Sequence, residues 1–464
     1  MDIVNINLDI NSSVPLYIQI YEFIKSEIQK GNLKANTKLT SKRKLSAYLG
    51  ISQNTVEAAY AQLVAEGYIT AIEKRGYFVA ELSGIICIPE RREEGKRKLN
   101  NKKKYKYEFL SSRVDLESFP YNLWKRINKD IINEDNRDIL QIGHSQGDYN
   151  LREVISDYLR YSRGVKAEAE RIVIGAGTEY LIQILLNLIG KDKLYGMEEP
   201  GYYKIRRILK NNNIDVRGVK IDKQGISIEE LYKSNCNVIH ITPSHQFPMG
   251  IIMPIKRRMD LLNWAREDKN RYIIEDDYDS EFRFEGRPIP SLQSLDNDDK
   301  VIYLGTLSKA FAPSIRVAYM VLPKSLIKIY RENFSFYACT VSRLTQQALY
   351  KFISEGHFER HLNKMRNIYK KKREFLVSQI KSNLKNTEII GTKAGLHLLL
   401  KVNNGMREEE LIKRAAENEI RILGLSNSYL DYSSKESIVF IGYGALSLKD
   451  IERGIALLKK SWEL

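Results

Sequence analysis

Short apolar runs alternate with helical patterns from residue 114 to residue 464, and few folds accommodate such an alternation. The apolar runs include RIVIGAG, KLYGMEEPGY, NVIHITPSH, RYIIEDDYD, VIYLGTLSK and RVAYMVLP. Strands that alternate with helices are typical of α/β domains, in which a mainly parallel sheet carries helices on both faces. We therefore predict one α/β domain over residues 114–464.

A compact set of helical patterns precedes this domain at residues 12–82. PLYIQIYEFIKSEIQKG places its apolar residues on one helical face, SKRKLSAYLG ends at Gly50, and SQNTVEAAYAQLVAEG begins at a Ser52 N-cap. YITAIEKRGYFVAEL then has the pattern of two short strands around a turn. This order predicts an α+β winged helix-turn-helix domain. Residues 83–113 are polar and charged without a helical or strand period, so we predict a basic flexible linker there.

The composition narrows the class of protein. Hydrophobic residues make up 43% of the 464 residues, which is enough for a sizeable core. No apolar run approaches the roughly eighteen residues of a membrane span, and the N-terminus has no signal-peptide pattern. Three separated cysteines, Cys87, Cys236 and Cys339, fit a reducing cytoplasm and argue against disulfides or a cysteine-based zinc site. His240 and His245 are too isolated in sequence to indicate a metal site.

The helix-turn-helix pattern, and not the net charge, points to DNA. The chain carries +16, but residues 1–82 contain nine Lys and Arg against eight Asp and Glu. Ser52 caps the third helix, so the side chains after it lie in the first turn of a recognition helix and face base edges. The start of the preceding helix is suited to a phosphate, and the wing turn is suited to the minor groove or the DNA backbone. The candidate DNA-binding residues are Ser41, Arg43, Gln53, Asn54, Thr55, Lys74 and Arg75.

The stretch PLYIQIYEFIKSEIQKGNLKANTKLTSKRKLSAYLGISQNTVEAAYAQLVAEGYI resembles the DNA-binding head of the GntR superfamily over almost its whole length. The resemblance joins the PLYxQI start, the LGxSxxTV turn and the AYxxLxxEG helix. Two positions depart from the family, with Asn36 in place of the usual Gly and Thr40 in place of the usual Pro. A helical scaffold that binds protein is the alternative reading of this segment.

Lys309 is a single cation between the apolar runs VIYLG and RVAYMVL. Lysine is rarely buried unless it is paired or chemically used, so Lys309 either reaches water or is a reactive amine in a pocket. A Schiff-base lysine needs a carboxylate for a pyridinium nitrogen, a donor for a phenolic oxygen and donors for a phosphate. Asp276 and Tyr278 follow an apolar strand at the i, i+2 spacing that directs both side chains to one side, and they fit the first two roles.

Candidates for the phosphate donors lie in two other segments. Ser308, Arg316 and Thr306 flank Lys309, and Arg316 is suited to bidentate contact. GAGTE is a Gly-rich turn into a helix, so the amides near Thr178 and Glu179 are an anion site. Each piece alone has an ordinary explanation, since acidic runs are usually solvated loops and lone lysines usually face solvent.

Five motifs in order, GAGTE, EEPGYYKIRRIL, TPSHQFPMG, IIEDDYDSEF and GTLSKAFAPSIRVAY, resemble the fold-type I aminotransferase domain. More closely they resemble its version in the MocR subfamily of GntR regulators, over roughly residues 114–460. The resemblance implies pyridoxal 5′-phosphate (PLP) as cofactor, with Tyr202 stacked on its ring. It also places Lys204 and Asn427 where GABA-responsive members grip the ligand carboxylate. Ammonium and amide groups recognise a planar carboxylate less well than guanidinium, so GABA is not the expected effector, unless Arg206 or Arg207 supplies the contact.

The resemblance implies a cytoplasmic transcription regulator that binds promoter DNA through its winged helix as a domain-swapped homodimer. An amine or amino acid effector would displace Lys309, form an external aldimine and shift the population of DNA-competent dimers. Two alternatives remain open. The chain is a catalytically active aminotransferase with an N-terminal interaction module, or its α/β domain is an apo scaffold or a sensor of PLP itself.

Overall fold

The computed structural model describes residues 6–10, 12, 14–81, 105–284, 289–430 and 436–464. The chain divides into two compact units, Met1–Lys102 and Lys103–Leu464. Most of the predicted linker, residues 83–104, and Cys87 within it lie outside the described residues.

The N-terminal unit has the predicted order of elements. They are α1 (Leu16–Gln29), α2 (Lys42–Leu49), α3 (Gln53–Ala65), β1 (Ile69–Ile72) and β2 (Gly76–Val79). The two strands pair antiparallel, and Ile20, Val56 and Leu63 are fully buried between the elements. Asn36 adopts a left-handed φ of 63°, which explains why a residue that tolerates this region stands where related heads have glycine.

The larger unit contains eleven helices among its described residues. They are α4 (Tyr121–Ile131), α5 (Tyr149–Arg163), α6 (Thr178–Ile189), α7 (Tyr203–Asn211), α8 (Ile228–Ser234), α9 (Ile255–Arg266), α10 (Lys324–Asn333), α11 (Arg343–Ser354), α12 (His357–Asn383), α13 (Glu408–Glu417) and α14 (Leu448–Trp462). Its strands are β3 (Tyr107–Glu108), β4 (Ile172–Gly175), β5 (Tyr195–Glu199), β6 (Val216–Asp222), β7 (Gly225–Ile226), β8 (Val238–Ile241), β9 (Tyr272–Asp277), β10 (Val301–Thr306), β11 (Ala318–Val321), β12 (Thr387–Ile390), β13 (His397–Val402), β14 (Ile420–Arg421), β15 (Leu423–Gly424) and β16 (Ile438–Gly442).

Eight strands form the main sheet, in the order β4-β11-β10-β9-β8-β5-β6-β7. Six of them run parallel, and β11 and β7 run antiparallel to their neighbours. Alternate residues of β4 enter different cores, since Ile172 and Ile174 pack in one cluster with α5 and α11, and Val173 packs in another with α6 and α10. This confirms the predicted mainly parallel sheet between helices, and each of the six apolar runs quoted above supplies one of its strands.

A second, four-stranded antiparallel sheet, β12-β13-β16-β15, completes the unit and packs against α12, α13 and α14. No helix in the described part of the chain is long and apolar enough to cross a bilayer.

The predicted linker extends too far at its C-terminal end. Tyr107 and Glu108 form β3, which pairs in parallel with β14, and Phe109 is fully buried in the core around the small sheet. A strand of two residues leaves no periodic pattern, so the charged neighbourhood of residues 101–106 concealed it. The larger unit therefore begins before residue 114.

Candidate functional site

One cavity of about 580 Å³ opens at the carboxyl ends of the main-sheet strands, the edge where open α/β sheets bind ligands. All ten residues predicted to contact a cofactor or effector line it. They are Thr178, Glu179, Tyr202, Lys204, Asp276, Tyr278, Ser308, Lys309, Arg316 and Asn427. Thr306 lines it as well. The fold thus brings together residues that are spread over 250 positions of the sequence (178 to 427).

Lys309 lies just beyond β10, and its side chain is only 17% exposed. Its amine is 3.9 Å from a carboxylate oxygen of Asp279 and 4.3 Å from the centroid of the Tyr278 ring. Burial lowers the pKa of Lys309, although the nearby carboxylates of Asp279 and Asp276 act in the opposite direction. A lysine with a lowered pKa has a larger fraction of neutral, nucleophilic amine at neutral pH.

Asp276 lies in the buried part of β9, which pairs with β8. Its Oδ2 lies 3.2 Å from Nε2 of His240, and both side chains are almost fully buried. A buried carboxylate in contact with an imidazole is suited to pairing with a cationic ring nitrogen at the base of the cavity.

Tyr278 contacts a second histidine. Its hydroxyl is 2.9 Å from Nδ1 of His245, and the same nitrogen is 3.1 Å from each carboxylate oxygen of Asp279. Burial raises the pKa of Asp279, but the charges of His245 and Lys309 outweigh that effect and lower it. An ionised carboxylate only accepts hydrogen bonds, so Nδ1 carries the hydrogen. The Tyr278 oxygen then accepts from it as well, and its own hydrogen remains available to a ligand in the cavity.

The predicted phosphate donors line the same cavity, and Arg316 meets the start of α6. Thr178 is the first residue of this helix, and Ser308 donates its amide to the Thr306 hydroxyl at 3.1 Å. Gly177 precedes the helix with a φ of 98°, and a Cβ there would lie 2.3 Å from Nη2 of Arg316. The positive φ favours glycine at this position, and any side chain there would also have to displace the Arg316 guanidinium.

Glu179 pairs with two cations of the cavity. Nη2 of Arg316 donates to its Oε2 at 2.7 Å, and Nζ of Lys204 donates to its Oε1 at 3.1 Å. Burial alone would raise the pKa of Glu179, but the hydrogen bonds from Arg316 and Lys204 outweigh it and lower the pKa to about 2. The sequence predicted an anion site from the amides of this turn, and did not predict that the Glu179 carboxylate holds the guanidinium.

Aromatic rings form another wall of the cavity. Tyr202 and Phe247 meet at 5.2 Å between ring centroids, and Phe247 stacks on Phe440 at 5.7 Å. Burial raises the pKa of Tyr202 to about 12, so its hydroxyl stays protonated. Asn427 and Ser428 line the cavity near this wall.

Sequence reasoning missed several residues of the site. His240 and His245 were considered only as metal ligands and judged too isolated for that role. In the structure His240 reaches Asp276 through the pairing of β8 with β9, and His245, in the segment after β8, reaches Tyr278. The run NVIHITPSH was already predicted as a buried strand, and the polar His240 inside it was the available signal. Ser111 and Ser112, which fell in the predicted linker, also line the cavity.

Arg206 and Arg207, the two arginines that could contact an effector carboxylate in place of Lys204, differ in position. Arg206 donates to the backbone carbonyls of Tyr429 and Leu430, whereas Arg207 lines the cavity. Of this pair, Arg207 is therefore the available cation.

The residues predicted to bind DNA lie on the surface of the N-terminal unit. Ser41 caps α2, and Ser52 caps α3 by accepting from the Thr55 amide at 3.2 Å. Gln53 and Asn54 are exposed in the first turn of α3, but the Thr55 hydroxyl is also 2.9 Å from Ser52 and partly engaged in the cap. The other three candidates are exposed too, at the start of α2 and at the wing turn: Arg43, Lys74 and Arg75.

The donor set of the cavity fits PLP. A poorly exposed primary amine shares the cavity with the buried Asp276 carboxylate, the Tyr278 phenol with a free hydrogen, and the Arg316 guanidinium next to Gly177. These groups match the aldehyde, ring nitrogen, phenolic oxygen and phosphate of that cofactor in charge and hydrogen-bonding type.

The fold and the cavity define the class of protein: a winged helix-turn-helix head followed in sequence by an aminotransferase-like domain of fold type I. Residues 113–438 match the class I and II aminotransferases, and residues 16–79 match the gntR family of bacterial regulatory proteins. The chain belongs to the MocR subfamily of GntR-type transcription regulators. Its gntR-family head makes it a DNA-binding regulator.

Three relatives match nearly end to end. The chain is 42% identical to the uncharacterized HTH-type transcriptional regulator YhdI of Bacillus subtilis (98% of this chain, 97% of YhdI). It is 31% identical to the probable rhizopine catabolism regulatory protein MocR of Rhizobium meliloti (98% and 95%). It is 29% identical to the pyridoxine biosynthesis regulator PdxR of Corynebacterium glutamicum (94% and 92%).

Solved structures agree with the fold. An archaeal alanine:glyoxylate aminotransferase superposes with a TM-score of 0.70 over 77% of this chain and 90% of its own, at 23% identity. Class I aminotransferases are PLP-dependent enzymes, whereas the relatives over the full length are named as regulators.

Proposed function

We propose that this chain is a PLP-dependent transcription regulator whose cavity binds PLP at Lys309 and senses an amine, an amino acid or PLP itself. The observation that carries the proposal is the position of the Lys309 amine, 3.9 Å from Asp279 and over the Tyr278 ring, in the same cavity as Asp276 and Arg316.

The cofactor supplies an aldehyde that condenses reversibly with a primary amine. Asp276 would hold the ring nitrogen, and His240 fixes the orientation of its carboxylate. The Tyr278 hydroxyl would donate to the phenolic oxygen, while His245 and Asp279 hold that hydroxyl in place. The phosphate would lie at the start of α6, near Arg316.

The effector would bind between the aromatic wall and the neutral residues Asn427 and Ser428. Because Lys204 is paired with Glu179, it is a weaker partner for a ligand carboxylate than a free cation. This supports an effector other than GABA, provided that Arg207, the other cation of the cavity wall, does not supply the carboxylate contact. Exchange between the Lys309 amine and the effector amine would alter the cavity wall and the affinity of the head for promoter DNA.

We assign the domain to sensing and not to turnover, because the full-length relatives are named as regulators. The observation that favours a working aminotransferase is the complete set of Lys309, Asp276 and Tyr278 in one cavity. Steady-state turnover of an amino acid and a keto acid in the absence of DNA would support that second function. We further propose that the regulator is cytoplasmic and acts as a homodimer, and sedimentation of the purified protein tests its oligomeric state.

Replacing Lys309 with alanine should abolish the absorbance band at about 410–430 nm that PLP gives when joined to a lysine. The wild-type chain incubated with PLP should show the band, and borohydride reduction followed by peptide mapping should locate the pyridoxyl group on Lys309. Lys328→Ala, an exposed lysine on α10, is the matched control and should keep the band. A band that survives in Lys309→Ala rules out this assignment.

A further inference from the structure

Glu179, the second residue of α6, lies among the groups that would bind the cofactor phosphate. One oxygen of Glu179 accepts from Arg316 at 2.7 Å and the other from Lys204 at 3.1 Å. A Cβ at Gly177 would lie 2.3 Å from the Arg316 nitrogen and 3.1 Å from Oε2 of Glu179, so guanidinium and carboxylate meet directly above this turn.

We propose that Glu179 is a specificity-determining residue that weakens binding of the cofactor phosphate, so that PLP is held as an exchangeable ligand. This inference rests on the proposed function and concerns the same cavity. A phosphate that contacts Arg316 must share the guanidinium with Glu179. The Glu179 carboxylate already neutralises part of the positive charge of Arg316 and Lys204, and it also repels the phosphate.

Two features make the competition effective. The hydrogen bonds from Arg316 and Lys204 outweigh the effect of burial and keep the pKa of Glu179 near 2, so the carboxylate is ionised at any physiological pH. Lys204 is bound to the second oxygen and therefore cannot simply replace Arg316 as a phosphate donor. The amides of α6 and the hydroxyls of Thr178 and Ser308 remain as neutral donors.

Glu179 has an alternative role as a positioning residue that holds Arg316 and Lys204 ready for the phosphate. The two roles predict opposite effects of removing the charge. If Glu179 competes with the phosphate, the isosteric glutamine tightens PLP binding. If Glu179 only positions the cations, the glutamine weakens it.

The test is titration of the full-length protein with PLP and with pyridoxal, which lacks the phosphate, followed by absorbance. We expect Glu179→Gln to tighten PLP binding by about ten-fold, since removal of one nearby unit charge changes binding by roughly that factor at a partly exposed site. Pyridoxal binding should change by less than about two-fold, because no phosphate is present to be repelled. Glu153→Gln, an exposed glutamate on α5 outside the cavity, is the matched control and should bind both ligands as the wild type does.

Unchanged or weaker PLP binding by Glu179→Gln, with normal binding by the wild type, overturns this inference and leaves the proposed function intact. An equal gain for PLP and pyridoxal also overturns it, because the effect would not depend on the phosphate. Failure of both the wild type and Glu179→Gln to bind PLP overturns the proposed cofactor site and this inference with it.

Discussion

Glu198 is a buried carboxyl group that is bonded to Thr242, a residue of the cavity wall. It lies on β5, and its Oε2 accepts hydrogen bonds from the amide and the hydroxyl of Thr242 at 3.0 and 2.8 Å. Burial raises the pKa of Glu198 from 4.5 to about 7, and the hydrogen bonds from Thr242 only partly offset this. The ionised form is therefore costly in the folded protein, and Glu198 couples the stability of the domain to pH.

Glu198→Gln should raise the melting temperature at pH 8 more than at pH 5. Between pH 4.5 and 7 the folded state binds more protons at this group than the unfolded state, so wild-type stability falls as the pH rises. Because glutamine cannot ionise, the variant should lose up to about 3 kcal/mol less unfolding free energy than the wild type over this pH range. Thermal unfolding of both proteins at the two pH values measures the difference. An equal change in melting temperature at both pH values would contradict the account.

At the scale of elements, we expect the N-terminal unit to use different residues for base reading and for phosphate contact. Gln53 and Asn54 are exposed in the first turn of α3, which the Ser52 cap fixes in place. Lys74 and Arg75 lie in the turn between β1 and β2. Amide side chains in a recognition helix discriminate bases, whereas cations in a wing add affinity that is independent of sequence.

Gln53→Ala should lower affinity for the operator by about 1–3 kcal/mol and leave binding to scrambled DNA nearly unchanged. Arg75→Ala should weaken both to a similar degree and reduce the salt dependence of binding. Gln62→Ala is the control. Gln62 is also a glutamine, lies near the other end of α3 and is bonded to Glu66. Band shifts on both DNAs at two salt concentrations provide the comparison, and an equal loss on both DNAs for Gln53→Ala would refute its role in base reading.

At the scale of the whole molecule, the first described segment after the linker is also part of the ligand cavity. Tyr107 pairs with Ile420, the Phe109 carbonyl accepts from the Gly442 amide at 3.0 Å, and Ser111 and Ser112 line the cavity wall. A Cβ at Gly442 would lie 2.4 Å from the Leu110 backbone, so this segment is closely packed. A ligand that contacts the two serines therefore contacts the chain that leads to the head.

The sequence was sufficient for the parts of the molecule that depend on local pattern. Apolar runs identified the strands of the main sheet, and the i, i+2 spacing placed Asp276 and Tyr278 on one side of a strand end. It was insufficient where distant residues meet. The contact of His240 with Asp276 depends on the pairing of β8 with β9, and the pairing of Glu179 with Arg316 joins residues 137 positions apart.

The central claim is that chemistry at Lys309 controls DNA binding by the head. The most direct test is the dissociation constant of the full-length protein for the upstream DNA, measured without PLP, with PLP, and with PLP plus candidate amines. We predict that the constant for the wild type changes on addition of PLP or of an amine, and that Lys309→Ala binds the same DNA without responding to either. A wild-type constant that responds to neither ligand, or an equal response in Lys309→Ala, would contradict the claim.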